Sequence, residues 1–188
     1  MKIPVAPRIL LAAGLCVAGL IGLVVREGLA RAGGQEVRLA MEAVDPRSLL
    51  HGHYVLLNLT QRLEPGAPCP PGEQANEWLA LRRDGAAHVL AGAGGSTDAA
   101  LRHGPIPLRG SFTCMTGEGE RPGWVQIDIG VERFHINQDD ALAIERILRE
   151  QQPDEETRAF AIVSVGRDGR ARLKGLEIDG ERLDLNWF

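Results

Sequence analysis

An uncharged and almost wholly apolar run near the N-terminus constrains this chain more than any other feature. The run covers residues 9–25, with Lys2 and Arg8 before it and Arg26 after it. As an α-helix it would be about 26 Å long, close to the thickness of the hydrocarbon core of a bilayer. It therefore predicts a transmembrane anchor over residues 9–25 that contacts the lipid bilayer, preceded by a short flank at residues 1–8.

Two other membrane-targeting signals fit parts of the same region. An A-x-A-like site at residues 30–32 would suit a secretory signal cleaved after Ala32, but the apolar run is long for a signal peptide and charges separate it from that site. Cys16 would suit a lipid anchor, but Leu15 precedes it where a small residue is needed. The uncleaved anchor is the preferred interpretation, and the charges on both flanks do not decide its orientation.

Beyond the anchor the pattern is typical of a β-rich domain. Charge and glycine at residues 26–36 indicate a tether, and residues 37–188 form the predicted ectodomain. Period-two alternation begins at Val37 and recurs in short runs separated by turn signals such as those at residues 84–85, 167–169 and 179–180. A long strand is predicted over residues 124–136, with a bulge near residues 130–133 to reconcile its two halves.

One well-signalled helix accompanies the predicted strands. It covers residues 138–150, with acidic residues in its first turn, arginines in its last turn and Pro153 just beyond. A single helical turn near residues 97–101 is also conceivable. The predicted fold class is mainly β (α+β): an antiparallel sheet or barrel-like sandwich with one packed helix.

Residues 44–59 carry the signals of a capped helical turn that leads into a strand. Asp45 can cap the helical turn that Pro46 begins, and Gly52 can end it in a left-handed conformation before a strand. This composition favours an architectural role, in which the turn directs the strand into the sheet. The functional alternative is a binding surface that includes Asp45, Arg47, Gly52, His53 and Tyr54.

The run V-D-P-R-x-L-L-x-G-x-Y-V-x-L in this stretch resembles the GDYXXLXY family of bacterial membrane-anchored proteins. Gly52, Tyr54 and Leu57 match the motif, whereas His53 and Leu59 replace its usual Asp and Tyr. Similarity continues in order through three further segments of the ectodomain, at residues 107–110, 130–134 and 169–180. After Phe134 the sequence departs from the run that is usual in the family.

The resemblance implies a location and a kind of partner, and no reaction. It implies a single-pass protein of the bacterial inner membrane with a periplasmic ectodomain. Because members of the family are often encoded beside multi-pass membrane proteins of unknown function, it also implies such a protein as partner. Glu132 and Arg133 fall in a run that recurs in the family, and we include them in the possible binding surface.

Two cysteines lie outside the apolar run, Cys69 and Cys114. A disulfide between them would close a loop of about 46 residues and stabilise the fold by roughly 4 kcal/mol in the chain-entropy model. An oxidising compartment would favour that bond. Two unpaired thiols are the alternative that the sequence leaves open.

Histidines offer a weak metal signal. His51 and His53 would share one face of a continuous strand, with His135 or Glu132 as a further ligand. Gly52 interrupts the strand geometry, so a structural or solvated pair is preferred and the sequence predicts no metal and no cofactor. Glu132 is better explained as an ion-pair partner of an arginine than as half of an acid–base pair.

The remaining patterns disfavour several classes of protein. The net charge of −4 comes with no basic, aromatic-rich face, so nucleic acid is not an expected partner. Lys174 is the only lysine beyond Lys2, and no serine lies in a nucleophile elbow, which disfavours hydrolase mechanisms. The sequence favours a non-catalytic binding or accessory module; a metal-dependent or hydrolytic ectodomain enzyme is the alternative.

Overall fold

A long helix followed by a β-rich domain makes up the computed structural model, which describes residues 5–42, 54–73, 77–117, 119, 121–131, 133–135 and 159–184. The helices are α1 (Val5–Gly33) and α2 (Thr97–Leu101). The strands are β1 (Gln35–Glu42), β2 (Tyr54–Leu56), β3 (Asn58–Leu63), β4 (Trp78–Asp84), β5 (Ala87–Gly94), β6 (Ile106–Arg109), β7 (Ser111–Met115), β8 (Gly123–Asp128), β9 (Arg133–His135), β10 (Ala159–Val165), β11 (Ala171–Ile178) and β12 (Glu181–Asp184).

Helix α1 is long and apolar enough to cross a membrane. The candidate span runs over Ile9–Gly33, and its apolar window of 18 residues has a mean hydropathy of 2.4, with none of that window buried inside the protein. The helix is longer than the run that we predicted from hydropathy. Residues 26–33, which we expected to belong to a tether, continue the helix, and β1 begins at Gln35.

The β-rich domain is built around β1, which pairs with three other strands. It pairs antiparallel with β10 and β3, and it makes one parallel pairing with β5, at Leu39 and His88. Among the described residues, ten strands join in one sheet of order β12-β11-β10-β1-β3-β8-β7, to which β5, β4 and β6 are added as a branch from β1. The sheet is open, so the antiparallel part of our prediction is confirmed and the closed, barrel-like form is not observed.

Local turn chemistry explains the three-stranded meander at the C-terminal end. β10, β11 and β12 pair antiparallel in sequence order, as predicted. Between β11 and β12 the two-residue turn has positive φ at both Asp179 and Gly180, the geometry that matches the twist of a hairpin. The turn that we predicted at residues 84–85 is instead at residues 85–86, because Asp84 still pairs with Ala87.

One strand that we predicted as continuous is interrupted. The stretch predicted as one strand over residues 124–136 splits into β8 and β9, which belong to different sheets. Gly130 has a φ of +70° at the break, so the chain leaves the ladder there and does not return to it by a bulge. Gly110 lies between β6 and β7, where a side chain would overlap the carbonyl oxygen of Asp128.

Alternating apolar side chains of the central strands pack together and form the core. Predicted inward residues are buried, among them Val37 at 0% exposure and Leu39 at 1%. The other large side chains that are almost wholly buried are Met41, Leu79, Leu81, Leu108, Val125, Ile162, Leu176 and Ile178. Helix α2 confirms the helical turn considered near residues 97–101 and is capped by Ser96, whereas the helix predicted over residues 138–150 lies outside the described residues.

Candidate functional site

A short second sheet brings together two of the segments that resemble the family. β2 and β9 pair antiparallel, with Tyr54 opposite His135 and Leu56 opposite Arg133. The backbone of the signature tyrosine therefore lies beside that of the residues following Gly130. Sequence reasoning did not predict this pairing, because nothing local in either segment specifies a partner so far away in the chain.

Only part of the predicted binding surface falls within the described residues. Tyr54, Arg133 and His135 lie in β2 and β9. The other candidates lie outside the described residues: Asp45, Arg47, His51, Gly52, His53 and Glu132. The binding surface stays a prediction, as does the structural or solvated role that we preferred for the histidine pair. In the part of the chain that the structure describes, no three His, Cys, Asp or Glu side chains are grouped closely enough to hold a metal ion.

A disulfide links the proline-rich loop after β3 to the core. Cys69 in that loop is bonded to Cys114 in β7, with their Cα atoms 6.0 Å apart and a separation of 45 positions in sequence. Cys114 is buried among core side chains, and half-buried Cys69 packs against the same core. The bond therefore holds the loop against the β7 strand. Cys16 on α1 is a free, exposed cysteine.

A shallow groove of about 300 Å³ lies across β3 and β8. In the ladder beneath it Thr60 is paired with Gln126, and Arg62 with Trp124. The Gln126 side-chain amide donates to Asn58 Oδ1 at 3.2 Å. The full lining is Asn58, Thr60, Arg62, Pro122, Gly123, Trp124 and Gln126.

The groove offers mainly hydrogen-bonding groups and one aromatic ring. Its described lining offers amides, a hydroxyl, one guanidinium and an indole ring, but no carboxylate, histidine, lysine or cysteine. The Thr60 hydroxyl therefore has no general base beside it among the described lining residues. We did not identify this groove from the sequence. The available signal was the polar set of Asn58, Thr60 and Arg62 on that phase.

Ion pairs fasten the end of α1 to the ectodomain. Arg172 Nε on β11 lies 2.5 Å from Glu27 Oε1, and Arg172 Nη2 lies 3.1 Å from Asp168 Oδ2. The hydrogen bond from Arg172 lowers the pKa of Asp168 to about 2. Arg31 Nη2 donates to the carbonyl oxygen of Lys174 at 3.0 Å. Glu27 and Arg31, which lie in the last two turns of α1, therefore both contact β11.

A second charged cluster follows directly on β1. Glu36 accepts from Lys174 Nζ and Arg182 Nη1, each at 2.8 Å, and the hydrogen bond from Arg182 is the main reason that the pKa of Glu36 falls to about 2. Arg38 pairs with Glu177 at 2.5 Å and lies 4.6 Å from the centre of the Phe160 ring. These contacts pair opposite charges on β1, β11 and β12, and the Phe160 ring extends the cluster to β10.

The turn between β10 and β11 is also held from the other side of the domain. The Arg109 backbone N–H donates to the carbonyl oxygen of Gly169 at 2.7 Å. The Arg109 guanidinium stacks on the Trp78 ring at 4.6 Å, and its Nε donates to the carbonyl oxygen of Asp168 at 3.2 Å. Gly169 has a φ of +73°, and a side chain there would overlap the Trp78 ring. The turn is consequently fixed in place.

Comparison with known proteins identifies the chain at the level of a family. No curated protein and no solved structure matches it. The family model described as GDYXXLXY protein matches residues 16–176, which includes the second half of the apolar run, the signature segment and the sheet as far as β11. The match covers most of the chain, so this protein belongs to the GDYXXLXY family.

Proposed function

We propose that this protein is a membrane-anchored, non-catalytic binding module that assists or regulates a multi-pass protein of the bacterial inner membrane. The observation that carries the proposal is helix α1. Its apolar window is wholly exposed, although the same helix is bonded to the folded domain through Glu27 and Arg31. A helix of this kind places the domain at a fixed position against the membrane surface, where a neighbouring membrane protein is accessible.

Two further observations support a binding role. The groove across β3 and β8 has polar groups and an indole ring but no catalytic set among its described lining residues. On α1, Gly14, Ala18 and Gly22 follow one another at intervals of four residues, and nothing lies within 4 Å of either glycine's Cβ position. Small residues at that spacing allow a second transmembrane helix to approach closely.

Site-specific photo-crosslinking in intact membranes tests the partner. At 3.6 residues per turn, Leu11 lies on the face of Gly14 and Gly22, whereas Leu20 lies on the opposite face. We expect a photoreactive residue at Leu11 to capture one multi-pass protein, and the same residue at Leu20 to capture much less of it. Replacing Gly14 and Gly22 by Leu should abolish the capture from Leu11. Recovery of only abundant envelope proteins from both positions would overturn the proposal of a specific partner.

A reporter fusion tests the side of the membrane. We propose that the ectodomain is periplasmic, which the Cys69–Cys114 disulfide supports because such bonds persist in oxidising compartments. A C-terminal reporter enzyme that is active only after export should be active. Activity of a reporter that functions only in the cytoplasm would overturn the placement, and the partner experiment would still stand on its own.

A further inference from the structure

We propose that the membrane-proximal end of the ectodomain binds the headgroups of anionic phospholipids through Arg26, Arg167 and Arg170. The proposal rests on the membrane anchor of the proposed function and is independent of any protein partner. We name this set of three side chains the arginine rim. Arg26 lies on α1, whereas Arg167 and Arg170 lie in the turn between β10 and β11.

The position of the rim follows from one ion pair. The apolar run of α1 ends at Val25, and Glu27 lies two residues later, about 3 Å further along the helix axis. Arg172 contacts Glu27 and also Asp168, so the turn is held beside this part of the helix. If Val25 marks the end of the hydrocarbon core, the turn lies within the headgroup layer, which adds roughly 5–7 Å on each side of that core.

The charges at this level are unbalanced. The two carboxylates beside the rim, Glu27 and Asp168, are both paired with Arg172. Arg26, Arg167 and Arg170 are exposed, and none of them makes an ion pair with any other residue that the structure describes. Within the described part of the chain, three guanidinium groups are therefore available to phosphate oxygens, with which guanidinium groups form short, bidentate hydrogen bonds.

The turn presents these side chains from a rigid support. Gly169 packs under Trp78, and the backbone N–H of Arg109 bonds to its carbonyl oxygen. The backbone N–H of Gly169 also donates to the carbonyl oxygen of Gly166 at 2.9 Å, which closes the turn. Little backbone ordering remains to be done when headgroups bind, and this lowers the entropic cost of the contact. A fixed cationic turn at headgroup depth is suited to an anionic lipid surface.

The first experiment measures the depth of the turn. The full chain carries Cys16→Ser, so that a single spin label can be attached at Arg167→Cys or, as control, at Glu181→Cys at the opposite end of β11. These ends are about 25 Å apart along the strand. In phosphatidylcholine bilayers with a chelated nickel ion on the headgroups, we expect strong relaxation of the label at residue 167 and weak relaxation at residue 181. Equal relaxation at both positions would overturn the proposal.

The second experiment measures lipid choice. The full chain is reconstituted in equal mixtures of phosphatidylcholine and phosphatidylglycerol, and its retained lipids are counted by native mass spectrometry. We expect preferential retention of phosphatidylglycerol. Replacing the three arginines of the rim by glutamine should remove that preference, and added salt should weaken it.

A matched control replaces three exposed arginines elsewhere in the β-rich domain, Arg83→Gln, Arg102→Gln and Arg121→Gln, and should keep the preference. Loss of the preference in this control as strongly as in the rim variant would overturn the assignment to the rim, as would no preference in the unmodified chain. Failure of the chain to enter the bilayer at all would instead overturn the anchor itself. The two failures are therefore distinguishable.

Discussion

Glu27 on α1 and Arg172 on β11 form an ion pair, with 2.5 Å between Glu27 Oε1 and Arg172 Nε. They are 145 residues apart in sequence, so the contact joins the apolar helix to the C-terminal meander. Arg31 makes a second contact from the helix to the same strand. The ectodomain is consequently attached to the helix by its tertiary structure as well as by the chain at Gly34, and orientation of the helix is passed on to the domain.

Replacing Gly34 by alanine should weaken this junction. A Cβ at Gly34 would overlap Ser164 Oγ and would lie 2.8 Å from the carbonyl oxygen of Val165. Ser164 is fully buried, so it cannot move away easily, and we expect a loss of about 1–3 kcal/mol in the free energy of unfolding. Denaturation of the full chain in detergent, followed by the β-sheet circular dichroism signal, measures it. Gly33→Ala is the control, because nothing lies within 4 Å of its Cβ position; equal losses in both variants would contradict the prediction.

Removing the disulfide should destabilise the ectodomain. Serine at both Cys69 and Cys114 releases a loop spanning 45 residues, for which the chain-entropy model gives about 4 kcal/mol. We expect a lower melting temperature than for the unmodified chain, and the same decrease when the unmodified chain is reduced. Cys16→Ser should melt like the unmodified chain in both conditions. A melting temperature of the unmodified chain that does not respond to reductant would show that the bond contributes nothing.

Local signals allowed much of the framework to be predicted from sequence, and long-range pairing explains most of what was missed. The turn at Asp179 and Gly180 needs two positive φ values, which its own residues favour, so the meander was predictable. The pairing of Tyr54 with His135, and the parallel contact of Leu39 with His88, depend on segments far apart in the chain. Alternation reveals which face of a strand is apolar, but it does not identify the neighbouring strand.

The same difference between local signals and long-range contacts explains which candidate sites were predicted. The cysteine pair was named from sequence, but two free thiols remained an alternative because spacing alone says nothing about the 6.0 Å between the Cα atoms. The groove at Trp124 was missed because its lining comes from β3, β8 and the loop before β8. The arginine rim was missed because the level of Arg167 and Arg170 relative to α1 is set by Arg172 and Glu27, which only the fold brings together.

Acid should destabilise the fold partly through Glu36. Its pKa falls from an ordinary value of 4.5 to about 2, mainly because Arg182 and Lys174 donate hydrogen bonds to the carboxylate. The folded state therefore binds the proton more weakly than the unfolded chain. The stabilisation is complete above about pH 4.5 and is lost as the pH falls toward 2. Because this ion pair is partly exposed to solvent, we expect a contribution of only about 1 kcal/mol.

Comparison of stability–pH profiles measures this contribution. Glu36→Gln should be less stable than the unmodified chain at pH 6, and the difference should shrink between pH 4.5 and 2, where the unmodified chain is also protonated. The variant should keep some acid sensitivity, because Asp168 also has a lowered pKa. Glu73→Gln, at an exposed carboxylate in the loop after β3, is the control and should follow the unmodified chain. A constant difference at every pH would rule out the ion pair as its cause.

His88 should make the contact between β1 and β5 sensitive to mild acid. Its Nδ1 accepts a hydrogen bond from the backbone N–H of Arg38 at 3.1 Å, which requires the neutral ring. Burial lowers the pKa of His88 below its ordinary value of 6.5, and the charges of Arg83 and Arg38 act in the same direction. The folded state disfavours the protonated ring, so this stabilisation is present above pH 6.5 and is lost as the pH falls through the lowered pKa.

Two measurements check the role of His88. Nitrogen chemical shifts of the ring should show an unprotonated Nδ1 at pH 7 and a titration midpoint below 6.5. The free energy of unfolding should fall between pH 7 and pH 5 in the unmodified chain. The fall should be smaller in His88→Gln, because its side-chain oxygen is an acceptor that does not titrate in this range. A ring that titrates at or above 6.5, or a variant with the same fall in stability, would show that protonation of His88 does not weaken the contact of β1 with β5.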